Sequence, residues 1–105
     1  MSNIRGMLQD ELERLERMKE AYLKKIRELP KGVIIEKKIN NGSYFYIQSR
    51  ENPKKVVSVY LKRDRLEQIS KQIKERQSHE ISLKSIKEDI NFIQRALKLK
   101  VKNGR

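Results

Sequence analysis

The side chains of this chain that could do chemistry are tyrosines and basic residues placed along predicted β-strands. Tyr44 and Tyr46 alternate in one strand-like run and Tyr60 lies in the next, and alternate side chains of a strand share a face. Tyrosine rings can stack on bases, while lysine and arginine neutralise phosphates. The candidate polyanion contacts in these runs and their turns are Lys37, Lys38, Tyr44, Tyr46, Arg50, Lys54, Lys55, Tyr60, Lys62 and Arg63.

The same residues also have a purely structural interpretation. Tyrosines at cross-strand positions commonly pair with one another and are half-buried beneath a helix. The basic side chains would then form an ordinary solvated surface. The sequence leaves both interpretations open.

Several kinds of catalytic site are excluded by residue type. The chain has no cysteine, which removes disulfides and thiol chemistry. His79 is the single histidine, and we expect it to be a surface side chain. Glycine-rich phosphate loops are missing, and Glu36 is the one acid within the predicted strands. We therefore predict a protein that is not an enzyme and that uses no cofactor or metal.

The charge of the chain favours an anionic partner. The formal net charge is +12, of which residues 1–29 contribute +1, residues 30–63 contribute +6 and residues 64–105 contribute +5. Such a field attracts DNA, RNA or a nucleic-acid-bound protein complex. Lysine-rich surfaces also simply keep proteins in solution, so charge alone does not decide.

The central region predicts an antiparallel three-stranded meander. Its runs are Val33–Ile39, Ser43–Arg50 and Lys55–Leu61, rich in β-branched and aromatic residues. Asn41-Gly42 suits a type I′ turn between the first two runs, and Asn52-Pro53 marks the second turn.

Alternation assigns the strand residues to two faces. The predicted core face comprises Val33, Ile35, Ile39, Phe45, Ile47, Val57, Val59 and Leu61. The predicted outer face comprises Ile34, Glu36, Lys38, Tyr44, Tyr46, Gln48, Arg50, Val56, Ser58, Tyr60 and Lys62.

Helical patterns flank the sheet. Residues 7–29 follow four-three apolar spacing, which ends at Pro30. Residues 64–98 form a second pattern whose phase breaks at residues 76–80, so this segment is either one long helix, straight or bent, or a helix pair. We prefer the long helix, because no proline or glycine interrupts it. Residues 99–105 are a basic tail.

The apolar stripes of these helices either pack within the chain or form the seam of a homodimer or another partner interface. The candidate interface residues are Leu8, Leu12, Leu15, Ile86, Ile90, Ile93 and Leu97.

Together these patterns predict one α+β domain over residues 1–105, with a β-meander flanked by an N-terminal helix and a long C-terminal helix. No apolar run approaches the ~20 residues that span a bilayer, and the N-terminus lacks a signal-peptide core. We therefore expect a cytoplasmic protein of a bacterial cell without a membrane partner. The function predicted from the residues is nucleic-acid binding through the tyrosine-bearing sheet face and its turns.

Short motifs across residues 12–97 resemble small uncharacterised helix–sheet–helix proteins of Gram-positive bacteria, their phages and mobile elements. The motifs are Leu29-Pro30-Lys31-Gly32, Asn41-Gly42-Ser43-Tyr44-Phe45-Tyr46, Arg50-Glu51 and Val59-Tyr60-Leu61-Lys62. The setting implied by this resemblance raises an alternative function. Small proteins of that origin often inhibit host defence nucleases, including CRISPR effectors, and such an inhibitor or adaptor would act by protein–protein contact through its helices.

Overall fold

The computed structural model describes residues 3–103, with side chains as far as Lys98. Its elements are α1 (Ile4–Arg27), β1 (Val33–Ile39), β2 (Gly42–Asn52), β3 (Lys55–Leu61), a short 3₁₀ turn (Arg63–Arg65) and α2 (Leu66–Asn103). The strands form one antiparallel sheet in the order β1-β2-β3. This is the α+β fold that the sequence predicted. The expected basic tail is helical through Asn103, and its last two residues lie outside the described part.

The chain divides into two compact units. The sheet unit is Arg27–Ser78, and the helical unit comprises the described residues up to Ile26 and from His79 onward. Each unit has its own hydrophobic cluster. None of the helices among the described residues is long and apolar enough to cross a membrane.

Helix α1 begins three residues earlier than predicted. Asn3 precedes it as an N-cap: the amide of Gly6 donates to the Asn3 side-chain oxygen at 2.9 Å, and the amide of Met7 donates to the Asn3 carbonyl at 2.9 Å. An asparagine oxygen that accepts from the first free amides stabilises a helix start. This cap explains why the chain is already helical from Ile4, before the apolar pattern that begins at residue 7.

The helical unit buries the stripes of both helices against each other. Its cluster comprises Leu12, Leu15, Ile86, Ile90, Ile93 and Leu97, with Leu8, Met18 and Tyr22 packed against it. These include all seven residues proposed for a dimer or partner interface. A single chain thus accounts for their burial, which is the first of the two alternatives left open by the sequence, and an interface with a second chain through these residues stays a prediction. A homodimer through another surface stays a prediction.

Helix α2 is continuous through residues 76–80, so the helix pair does not form. The break in apolar phase at residues 76–80 separates two groups of buried residues instead of two helices. Ile69 and Ile73, before the break, belong to the cluster of the sheet unit, whereas Ile86 and Ile90, after it, belong to that of the helical unit. The apolar stripe changes phase where the helix passes from one unit to the other, between Ser78 and His79.

The β1–β2 loop differs by one residue from the prediction. Ile39 pairs with Gly42, so the two loop residues are Asn40 and Asn41 rather than Asn41 and Gly42. Asn40 adopts a positive φ of 57°. A type I′ turn needs a positive φ at both loop residues, and Asn41 does not adopt one, so that turn type is not formed.

The register places β1 in the opposite phase from the one predicted. Ile34 pairs with Ile47, and Glu36 pairs with Phe45. Residues that are directly opposite share a face, so Ile34 joins the buried side while Val33 and Ile35 lie on the other. A shift of one residue moves a whole strand's side chains between faces. The faces assigned to β2 and β3 are confirmed, because Phe45 pairs with Leu61 and Tyr46 with Tyr60. Val59 shares the face predicted to be core but is 57% exposed, so it is not part of the core.

The buried side, called here the packed face, lies against the first turns of α2. Buried Leu61, Ile69 and Ile73 form its cluster. Ile34, Phe45, Ile47 and Leu66 pack against them half-buried.

Two contacts hold the chain where it enters the sheet. Arg76 Nη1 donates to the Leu29 carbonyl oxygen at 2.7 Å. Gly32 has a φ of +133°, and a Cβ on it would stand 2.7 Å from the Gln48 carbonyl oxygen. Only glycine fits this close approach without strain, so Gly32 and Arg76 fix the start of β1.

Candidate nucleic-acid interface

The second side of the sheet, called here the open face, carries the tyrosines. The register brings together Val33, Ile35, Lys37, Ile39, Tyr44, Tyr46, Gln48, Arg50, Val56, Ser58 and Tyr60. Tyr60 is 55% exposed and Tyr44 41%, whereas Leu61, next to Tyr60 on the packed face, is 5% exposed. The open face is therefore an accessible aromatic surface.

The three tyrosines are held in different ways. The rings of Tyr46 and Tyr60 meet at 5.8 Å between centroids with planes at 70°, an edge contact typical of aromatic pairs. Lys37 Nζ lies 4.8 Å from the Tyr46 ring centroid, a cation–π contact. Tyr44 lies beside Gly42, where a Cβ would be 3.2 Å from the ring. Tyr46 is thus half-buried between neighbours, and Tyr60 and Tyr44 present more of their rings.

The open face carries basic and no acidic side chains among its paired residues. Lys37 and Arg50 lie on it, and Glu36 is on the packed face opposite Phe45. Lys38 pairs with Ser43 and so shares the packed face, which corrects its predicted position beside the tyrosines. The change of phase in β1 exchanges Lys38 for Lys37 on the candidate surface.

The turn between β2 and β3 holds three of the predicted contacts. Arg50 Nη1 donates to the Pro53 carbonyl oxygen at 2.7 Å, which ties its guanidinium across the turn. Lys55 Nζ lies 3.5 Å from the Glu51 carboxylate in an exposed ion pair. The Lys54 amide donates to the Asn52 side chain at 2.9 Å. Lys54 and Lys55 therefore lie at the turn end of the sheet, and the charge of Lys55 is partly offset by Glu51.

The last two predicted contacts follow β3. Arg63 turns towards the packed face: its guanidinium carbon is 5.4 Å from the Phe45 ring centroid, and Nη2 donates to the Ser43 carbonyl at 3.4 Å. Lys62 is exposed and precedes the 3₁₀ turn. The structure thus places Lys37, the tyrosines and Arg50 on one face, with Lys37 in contact with Tyr46, and directs Arg63 to the other face.

The apolar members of the open face, Val33, Ile35 and Ile39, were missed as part of this surface. A signal for them exists in the sequence. A two-residue loop pairs odd-numbered residues of β1 with even-numbered residues of β2, whichever of the two loops is chosen. A two-residue hairpin at this point therefore places Ile39 with Tyr44 and Tyr46 rather than with Phe45.

Ionisable groups outside the sheet show structural contacts. Arg14 donates to both Glu11 carboxylate oxygens, at 2.8 and 2.6 Å, and this hydrogen bonding lowers the pKa of Glu11. His79 is half-buried with its ring 5.4 Å from that of Tyr22, so it is less exposed than expected. Across the described residues, no group of three ligating side chains stands ready for a metal ion.

No curated protein and no solved structure matches this chain. One protein family does match, over residues 8–71, and its description is Domain of unknown function (DUF6788). The match takes in most of α1, the whole sheet and the start of α2. Because it spans more than half of the sequence, the chain belongs to the DUF6788 family.

Proposed function

We propose that this chain is a small basic nucleic-acid-binding protein of the bacterial cytoplasm, without enzymatic activity, that docks its open face on nucleic acid. The observation that carries the proposal is the composition of that face. It exposes tyrosine rings on the face that also carries Lys37 and Arg50, and none of its paired residues is acidic. Rings for bases and cations for phosphates are the two components that nucleic-acid surfaces combine.

The structural interpretation of the tyrosines explains Tyr46 better than Tyr60. Tyr46 is half-buried and held between Lys37 and Tyr60, as expected for a supporting ring. Tyr60 has an exposed fraction of 55%. A ring placed only to pack beneath a helix would lose most of that area to its neighbours.

Charge supports the same partner. The segment that carries the sheet, residues 30–63, has eight basic and two acidic residues. Glu36, one of these acids, lies on the packed face, and Glu51, the other, stands at the turn beside Lys55. A phosphate backbone laid across the open face would therefore meet cations, with the nearest carboxylate at the rim.

The alternative of a helical inhibitor or adaptor finds less support. In that alternative, helix residues such as Leu15 and Ile90 would form the interface with the partner protein. These are only 3% and 7% exposed in the helical cluster. Changing them would unfold the helical unit rather than test an interface.

The test is a salt series of binding to labelled duplex DNA, single-stranded DNA and structured RNA, with the mass in solution measured in the same buffer. If about three phosphates are neutralised, affinity should fall about 20- to 40-fold between about 50 and 200 mM salt. The mass measurement reports in the same experiment whether the chain is a homodimer.

Lys37→Gln and Lys38→Gln form a matched pair for this test. The two residues are neighbours with equal charge on opposite faces of β1, so both variants have the same net charge. We expect Lys37→Gln to weaken binding and to reduce the salt slope by about 0.7–0.9, and Lys38→Gln to bind as the parent does. No binding at low salt, or equal losses in the two variants, would overturn the proposal.

A further inference from the structure

We propose that the open face takes single-stranded nucleic acid, with unpaired bases stacked on Tyr60 and Tyr44. This inference rests on the proposed function and names the form of nucleic acid that the face fits. It comes from three features of the face: exposed apolar side chains around the rings, the distance between the two exposed tyrosines, and the position of the cations.

The first feature is exposed apolar area. Val33 is 60% exposed, and Ile39 and Val56 are each 47% exposed on the same face. A protein surface of this breadth meets mainly the phosphates and sugars of a duplex. These groups leave the apolar side chains without a partner. An unpaired base has two apolar ring faces that gain from leaving water. The composition of the open face therefore matches unpaired bases better than a duplex backbone.

The second feature is the spacing of the exposed rings. Tyr46 pairs with Tyr60, so Tyr44 is the diagonal neighbour of Tyr60. Diagonal neighbours across antiparallel strands lie about 7–8 Å apart. Bases stacked within one strand rise by only about 3.4 Å. Two neighbouring bases that each cover one of these rings must therefore be unstacked from each other, which a duplex does not allow.

The third feature is the position of the cations. Lys37, on β1, lies over the ring of Tyr46. Arg50, near the end of β2, donates to the Pro53 carbonyl of the β2–β3 turn. The exposed residues Lys54 and Lys55 belong to the same end of the sheet. The rings thus lie between cations on the β1 side and cations at the turn, so a strand whose bases cover the rings can place its phosphates near both.

These features assign different roles to the three tyrosines. Tyr60 and Tyr44 are the stacking rings because they are the exposed ones. Tyr46 is a positioning residue, since its ring touches Tyr60 at 5.8 Å and carries Lys37 at 4.8 Å.

The experiment compares a short oligothymidylate with a duplex of the same length, using the full chain and its variants. The parent should bind the single strand more tightly than the duplex. Tyr60→Thr should weaken single-strand binding about five- to 150-fold, the range for loss of one stacked base. Tyr60→Phe keeps the ring and should stay within about threefold of the parent.

Val59→Thr is the matched control. Val59 precedes Tyr60 in β3, is 57% exposed and faces the opposite side of the sheet. Threonine keeps a high strand propensity at both positions, and circular dichroism would verify that each variant is folded. Val59→Thr should bind both nucleic acids as the parent does.

The outcomes separate this inference from the proposed function. Equal or tighter binding of the duplex, or unchanged single-strand binding by Tyr60→Thr while Lys37→Gln still loses affinity, would overturn the inference and leave nucleic-acid binding intact. Absence of binding to any nucleic acid at low salt would overturn both.

Discussion

The two faces of the sheet have similar residues but different surroundings. Leu61 and Tyr60 are neighbours in β3, and one is 5% exposed while the other is 55% exposed. Both faces carry isoleucine, valine and aromatic side chains. The packed face meets Ile69 and Ile73 of α2, although Val59 at its margin is 57% exposed. The open face meets no helix in this cluster and leaves Val33, Ile39 and Val56 exposed.

The difference shows that hydrophobicity alone does not identify the buried side of this sheet. The apolar residues of α2 do so, because they reach only the side that carries Phe45 and Ile47. Apolar side chains that remain exposed together are typical of surfaces that bind a partner, as we propose for the open face. The packed face should therefore contribute stability, and the open face should contribute binding.

The largest expected effect of this division is on stability. Leu61→Ala removes a buried side chain of the packed face and should lower the free energy of unfolding by about 2–5 kcal/mol. Tyr60→Ala, the adjacent change on the open face, should cost no more than about 1 kcal/mol. Urea denaturation followed by tyrosine fluorescence measures both, because three of the four tyrosines lie on this sheet.

A reversed order in these two variants, with Tyr60→Ala the more destabilising, would contradict the division. The open face would then be part of a core that requires cover, and its tyrosines would have a structural role.

A smaller loss of stability is expected at Gly32, the residue that precedes β1 and lies close to β2. Gly32→Ala places a Cβ 2.7 Å from the Gln48 carbonyl oxygen, at a φ of +133°. Strain of this kind costs about 1–3 kcal/mol, which thermal unfolding would detect. Gly42→Ala is the control: its Cβ would meet only the movable ring of Tyr44, so the change should stay within about 1 kcal/mol. Equal losses would argue against a special role for Gly32.

Much of the fold could be predicted from local patterns. Alternation and turn residues located the three strands, and four-three spacing located both helices. The second turn lies where Asn52-Pro53 indicated, and β2 and β3 have their predicted faces. These features depend on residues close in sequence, where propensity and periodicity act directly.

The remaining features depend on partners distant in sequence. The phase of β1 was wrong because Val33, Ile35 and Ile39 are as apolar as a core strand, although a two-residue loop already pairs them with the tyrosines. Arg76 lies in the segment 76–80 where the apolar phase breaks, and its guanidinium donates to the Leu29 carbonyl. No local pattern predicts a hydrogen bond across that separation. Likewise, the sequence showed the stripes of α1 and α2 but not that they pack together.

The most direct test of the account is a methyl NMR titration with a short oligothymidylate at low salt. Neighbouring residues Ile34 and Ile35, and Val56 and Val57, place their methyl groups on opposite faces of the sheet. We predict that Ile35 and Val56 shift on binding, because they lie on the open face with the tyrosines, and that Ile34 and Val57 change little. Shifts confined to Ile34 and Val57, or to the methyl groups of the helical unit, would contradict the claim that the open face is the binding surface.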